Sequence, residues 1–116
     1  MKQEKDIVND ILLRATARGH RLFRQNVGNG WVGKTRAGRA PGRMTIDDAR
    51  PLIAGLCVGS SDIVGWSATG TFVAFEVKTP GVYATPAQKA FIAAAQSCGC
   101  IAAVVYSADE AMALLP

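Results

Sequence analysis

The segment from Asp62 to Lys78 constrains this chain more than any other. Asp62–Trp66 and Thr71–Lys78 are two runs rich in β-branched and aromatic residues, the composition that suits strands. A turn around Ala68-Thr69-Gly70 joins them as an antiparallel hairpin. Residues two apart in a strand share a face, so Glu76 and Lys78 point one way and Val77 the other. With the turn centred near Thr69, the numbers of opposed residues sum to about 138. Asp62 then lies across from Glu76, with Cβ atoms roughly 4.5–5.5 Å apart.

Two carboxylates that close, in strands otherwise apolar, repel each other unless something cationic lies between them. A divalent metal with oxygen ligands is the usual solution, and the backbone carbonyl of Val77 offers a further ligand. The Lys78 ammonium can hold an attacking water and a phosphate, and offset charge in a transition state. The alternative is two solvated carboxylates and a salt-bridged lysine at a sheet edge. Against it, Asp62 and Glu76 are two of only four acids beyond residue 50.

The surrounding pattern is mixed α/β. Ile7, Val8, Ile11, Leu12 and Ala15 recur at helical spacing over residues 3–18, and Gly19 suits the stop. Residues 20–27 read as a strand, with Leu22 and Arg24 on one face and Phe23 and Gln25 on the other. Gly28-Asn29-Gly30 is a turn, and Trp31-Val32 starts a short strand. Residues 33–51, broken by Gly33, Gly38, Pro41 and Gly42, read as a long loop. Leu52–Val58 is an apolar run ending at Gly59-Ser60-Ser61. Thr85, Pro86 and Gly99 bracket a helix as N-cap, N1 and stop. Ile101–Tyr106 is a continuous apolar strand of the kind buried on both faces. Ser107 to Glu110 opens a last helix as a capping box. All 116 residues fit one domain.

Charge is distributed unevenly. Residues 1–50 carry 11 Lys/Arg against 5 Asp/Glu, and residues 51–116 carry 2 against 4. The basic half suggests a polyanionic partner. Lys34, Arg36, Arg39 and Arg43 follow one another with no acid between them, in a segment whose glycines let it conform. Arginine matches phosphate geometry bidentately, so this segment is a candidate contact for a phosphate backbone; the alternative is a solvated surface. No apolar run approaches the ~18 residues of a membrane span. The charged N-terminus lacks a signal-peptide core, so a cytoplasmic location is expected. Cys57, Cys98 and Cys100 fit reduced, mostly buried thiols better than a zinc or redox site. His20 at a strand start reads as structural.

Gly59-Ser60-Ser61-Asp62, then Phe75-Glu76-Val77-Lys78, then Gln88 in the next helix resembles the PD-(D/E)xK nuclease motif. The Gln ten residues after the Lys makes it similar to the virus-type replication-repair nuclease (VRR-NUC) domain. The resemblance runs from the first helix to Tyr106. Ser61 stands where the motif has Pro. The resemblance implies a restriction-endonuclease-like core, α-β-β-β-α-β in order, with a mixed sheet flanked by helices. It implies Mg²⁺ or Mn²⁺ and hydrolysis of phosphodiesters in DNA.

Carried over by position, Asp62 and Glu76 bind metal, Lys78 activates or orients water, and Gln88 supports the site. Glu4 fits the first-helix carboxylate that often joins the metal shell. It precedes Ile7, Val8 and Ile11 by 3, 4 and 7 residues, which puts it on the apolar face; the alternative is a frayed first turn beside the helix dipole. Gln88 has its own alternative, since Thr85-Pro86-Ala87-Gln88 is a capping box. Arg24 and Asn26 resemble the family's Arg-x-Asn segment, there to touch phosphate or brace the site; the alternative is a plain exposed strand face. For the whole molecule the expectation is a homodimeric endonuclease acting on branched DNA such as four-way junctions. The rival is a catalytically silent DNA-binding module of the same fold.

Overall fold

Helix α1 (Glu4–Ala17) buries Ile7, Val8, Ile11 and Ala15 along one stripe, the spacing that predicts it. Its stop is Gly19 at φ +90°, a conformation glycine adopts without strain. The computed structural model describes residues 2–116. After α1 come β1 (Arg21–Arg24), β2 (Gly28–Ala37), β3 (Met44–Ala54), β4 (Ile63–Trp66) and β5 (Phe72–Val77). Helix α2 (Pro86–Ser97), β6 (Ile101–Val105) and α3 (Ala108–Leu114) complete the chain. The main sheet has the order β1-β4-β5-β6. It is antiparallel across β1, β4 and β5 and parallel between β5 and β6, the mixed sheet that was expected.

Alternation along the strands sorts side chains into two layers. Leu22, Ile63, Val73, Phe75, Val77 and Val105 face α1 and α3 and form the larger core with them. Ala74 and Ala102 face α2 and pack on Ile92, with Val64, Phe91 and Ala95 at the margin. Small residues here let α2 lie close to the sheet. His20 is buried, and its Nδ1 accepts from the Ala68 N–H at 2.8 Å. It ties the end of α1 to the β4–β5 turn, the structural role expected of it.

Three readings change. Gly28-Asn29-Gly30 is not a turn but the start of the ten-residue β2. Residues 33–51 are not a loop: β2 and β3 pair along most of their length from Gly28↔Ala54 to Ala37↔Met44, with a bulge between Val32 and Lys34. The tip closes where the Gly38 N–H donates to the Arg43 carbonyl at 2.9 Å. This two-stranded sheet is separate from the main one, and its strands pack on each other and only marginally on anything else. It is exposed on both faces, so no apolar alternation marks it in the sequence. The cysteines are free, but Cys57 and Cys98 are exposed and Cys100 half-buried. Cys57 lies between the hairpin and β4, and Cys98 caps α2 where the helix leaves the sheet. No helix among the described residues is long and apolar enough to cross a membrane.

Core and hairpin therefore differ in their share of stability. Phe75 is fully buried, whereas Leu52 on β3 is 45% exposed. Phe75→Ala is expected to cost about 3–5 kcal/mol, and Leu52→Ala no more than about 0.5 kcal/mol. Urea unfolding midpoints of the two variants check this; equal losses would place the hairpin inside the cooperative core.

Candidate active site

The site lies where β4 begins and β5 ends. The register Ile63↔Phe75 extends by one step to Asp62 opposite Glu76, the pairing the turn position predicts. Asp62 is fixed at both ends. Its carbonyl accepts from the Gln25 N–H at 2.6 Å, and its Oδ2 accepts from the Val77 N–H at 2.9 Å. In an extended residue the N–H and C=O leave on the same side, so the Val77 carbonyl also faces the Asp62 side of β5.

Glu76 is 2% exposed and lies one step along from Ala74 on the α2 face. Its Oε1 accepts from Gln88 Nε2 at 2.9 Å and lies 3.5 Å from Lys78 Nζ. Its Oε2 is buried and has no hydrogen-bond partner among the described residues. Burial, and then the neighbouring Asp62 carboxylate, push Glu76 up to about 7 against the pull of Lys78. Such an arrangement is costly for an ionised carboxylate unless a cation completes it.

Gln88 makes the capping contacts and also a contact to Glu76. Its Oε1 accepts from the Thr85 N–H at 2.8 Å, and its own N–H donates to Thr85 Oγ1 at 3.2 Å. The same side chain then offers Nε2 to Glu76. A capping box spends only the amide oxygen, which leaves the nitrogen for the site. Gly59 allows the approach: at φ +87°, a Cβ there would lie 2.6 Å from the Ala87 backbone. The first turn of α2 thus packs directly on the segment leading into β4.

A cleft of about 310 Å³ opens beside these groups, lined by Asp62, Gln88, Thr85, Asn26 and Gln25 among others. Gln25 is the residue the sequence reading missed. Its Nε2 donates to Ser60 Oγ at 2.9 Å and to the Ser61 carbonyl at 2.8 Å, and its Oε1 accepts from the Leu56 N–H at 3.0 Å. It braces the segment that delivers Asp62. The strand parity that separates Gln25 from Arg24 was visible; the pairing of β1 with β4, which turns Gln25 toward Asp62, was not.

The remaining candidates divide. Asn26 reaches the cleft wall. Arg24 pairs with Ile63, a core residue of the α1/α3 side, so it leaves the sheet on the face away from Asp62. Glu4 does not lie on the buried face of α1: it is exposed, because the buried stripe starts at Ile7 and the first turn has nothing packed over it. Among the described residues no three His, Cys, Asp or Glu side chains converge as metal ligands, so Glu4 does not join Asp62 and Glu76. Lys34, Arg36, Arg39 and Arg43 lie on the hairpin, where Arg36 Nε pairs with Asp47 at 2.9 Å.

Residues 34–109 match the family model of the VRR-NUC domain. The chain belongs to the VRR-NUC family. Its fold is accordingly restriction-endonuclease-like, and the family is one of DNA-binding nucleases. Among curated proteins none matches the chain, and among solved structures none does. The VRR-NUC match takes in the whole constellation of Asp62, Glu76, Lys78 and Gln88.

For the protein without metal, the raised Glu76 pKa fixes a sign. The folded value, about 7, exceeds the ordinary 4.5, so between those pH values the folded state binds more protons than the unfolded one. Glu76 therefore contributes a loss of stability as pH rises from about 4.5 to about 7, and no further change above. Thermal melts across this range should show wild type losing more stability than Glu76→Gln. Parallel curves would mean that Glu76 is not held in a neutral-favouring site.

Proposed function

We propose that this protein is a Mg²⁺- or Mn²⁺-dependent DNA endonuclease, with Asp62, Glu76 and Lys78 at its catalytic centre and Gln88 supporting them. The observation that carries this reading is Glu76: a buried carboxylate beside a second carboxylate, with one oxygen unpartnered. Two carboxylates and one main-chain carbonyl form an all-oxygen donor set, which suits a hard cation that keeps several waters and meets substrate phosphate. Asp62, Glu76 and the Val77 carbonyl would hold it. When bound, such an ion supplies positive charge at the phosphate and acidifies water.

The chain's own groups do the rest. The Val77 N–H and Gln25 hold Asp62 in place, so its carboxylate needs no reorganisation when a phosphate arrives. Gln88 fixes the rotation of the Glu76 carboxylate. Lys78, only 13% exposed in its side chain, orients water for attack on phosphorus and offsets charge as the bond to the leaving oxygen breaks. Asn26 lines the cleft where a phosphate would pass. Lys34, Arg36, Arg39 and Arg43 contact the DNA backbone beyond it.

The active form is a homodimer that prefers branched DNA such as a four-way junction. One site cuts one strand, and symmetric resolution of a junction takes two cuts related by a two-fold axis, which a C₂ dimer supplies. Exposed aromatic surface supports the assembly. Phe23 and Trp66 pack as a tilted pair with 5.6 Å between centroids, both about half exposed, with the exposed Phe72 opposite Trp66.

Asp62→Asn keeps an oxygen for the Val77 N–H, and Glu76→Gln keeps one for Gln88. Each should fold normally and lose cleavage on the order of 100-fold or more, and Lys78→Ala should lose the chemical step while still binding metal. Assays on duplex, flap and junction DNA with Mg²⁺, Mn²⁺ or EDTA check this, and full activity in any of the three variants would refute the assignment. For the assembly, sedimentation at micromolar concentration should give a species of twice the 12.2 kDa chain mass, and a junction should be cut faster than linear duplex of the same arm sequence. A monomer alone, or equal rates, would refute the respective claim.

A further inference from the structure

The β2–β3 hairpin is built like an arm. Strand β2 has 10 residues, which at about 3.3 Å each span roughly 33 Å. The molecule measures 51 × 31 × 29 Å, and an isolated two-stranded hairpin of this kind is marginal in water without a surface to rest on. Its charge is also distinctive. Lys34, Arg36, Arg39, Arg43 and Arg50 stand against Asp47 and Asp48, so residues 28–54 carry +3 of the chain's +4. Arg36 is paired with Asp47, whereas Arg39 and Arg43 flank the closed tip and make no ion pair among the described residues.

The bulge between Val32 and Lys34 divides the arm into two halves. The half near the body carries Trp31, Leu52 and Ile53, all exposed. The outer half carries Lys34, Arg36, Arg39 and Arg43. Both feet of the arm stand on the cleft: Gln25, Asn26 and Val27 lead in, Val58, Gly59 and Ser60 lead out, and all six line the cleft of Asp62 and Gln88. The arm is therefore rooted at the cleft that holds Asp62.

We infer that the outer half of the arm enters the major groove of a DNA duplex flanking the scissile phosphate, with Arg39 and Arg43 leading. The inference rests on the nuclease reading and adds to it that the substrate must carry a double-stranded flank. A major groove about 12 Å wide admits a two-stranded β-ribbon, whose strands are about 4.8 Å apart. A cationic ribbon with both faces bare fits that space. A single strand offers no groove for it.

The test is methylation of guanine N7, which lines the major groove, on a junction with guanine-rich arms and Ca²⁺ in place of Mg²⁺. Wild type should protect N7 positions on a duplex arm next to the branch. Arg39→Ala with Arg43→Ala, at exposed tip positions, should lose that protection and flatten the slope of log affinity against log salt by about 2. Bound wild-type protein that leaves every N7 reactive overturns the inference. So does a double variant with protection retained, or one that sediments as a smaller species than wild type, which would assign the arm to a contact between copies. The nuclease reading is judged separately, on strand cleavage in Mg²⁺ by wild type against Asp62→Asn.

Discussion

The pairing of β4 with β5 is the interaction on which the rest of this molecule depends. One register places Asp62 beside Glu76, turns the Val77 N–H to the Asp62 carboxylate and directs Phe75 and Ile63 into the α1/α3 core. Because strand faces alternate, a slip of one residue would expose Phe75 and bury Glu76 on the wrong side. Hydrophobic burial of the odd-numbered residues thus holds the even-numbered carboxylates together against their mutual repulsion. Burying a side chain the size of Phe75 contributes about 1.5–3 kcal/mol, and several such residues act on the same register.

Helix α2 completes what the sheet begins. Its N-cap geometry is set by local chemistry, with Thr85, Pro86 and Gln88 doing what those residues do at any helix start. Here the helix start lies against Gly59, and Gln88 at its third position also reaches Glu76. The position of one carboxylate and the first turn of a helix are consequently fixed by one amide group. Gln88→Ala would remove both contacts at once, whereas Gln88→Glu would keep the oxygen for the Thr85 N–H and lose the nitrogen that holds Glu76.

Much of this was legible in the sequence, and what was not has physical causes. The β4–β5 register could be read because a tight turn and an apolar alternation fix it together. Both ends of α2 could be read because capping chemistry is local. Residues 33–51 read as a loop because the strands there bury little; without burial, strands leave no alternation, and Gly33, Gly38, Pro41 and Gly42 look like breaks. Gln25 escaped notice because its importance comes from pairing between β1 and β4, which are distant in sequence. Glu4 misled because periodicity gives the angle of a residue around a helix but not whether anything covers that turn.

The two feet of the hairpin leave the body side by side, with Gly28 paired to Ala54 and Gly55 close against the Asn26 carbonyl. From that point outward, adding or removing one residue from each strand shifts the tip without moving β1 or β4. Reach and chemistry can therefore change independently over generations: insertions and deletions in matched pairs would retune how far from the cut the protein holds its substrate, while the carboxylates stay where the main sheet puts them.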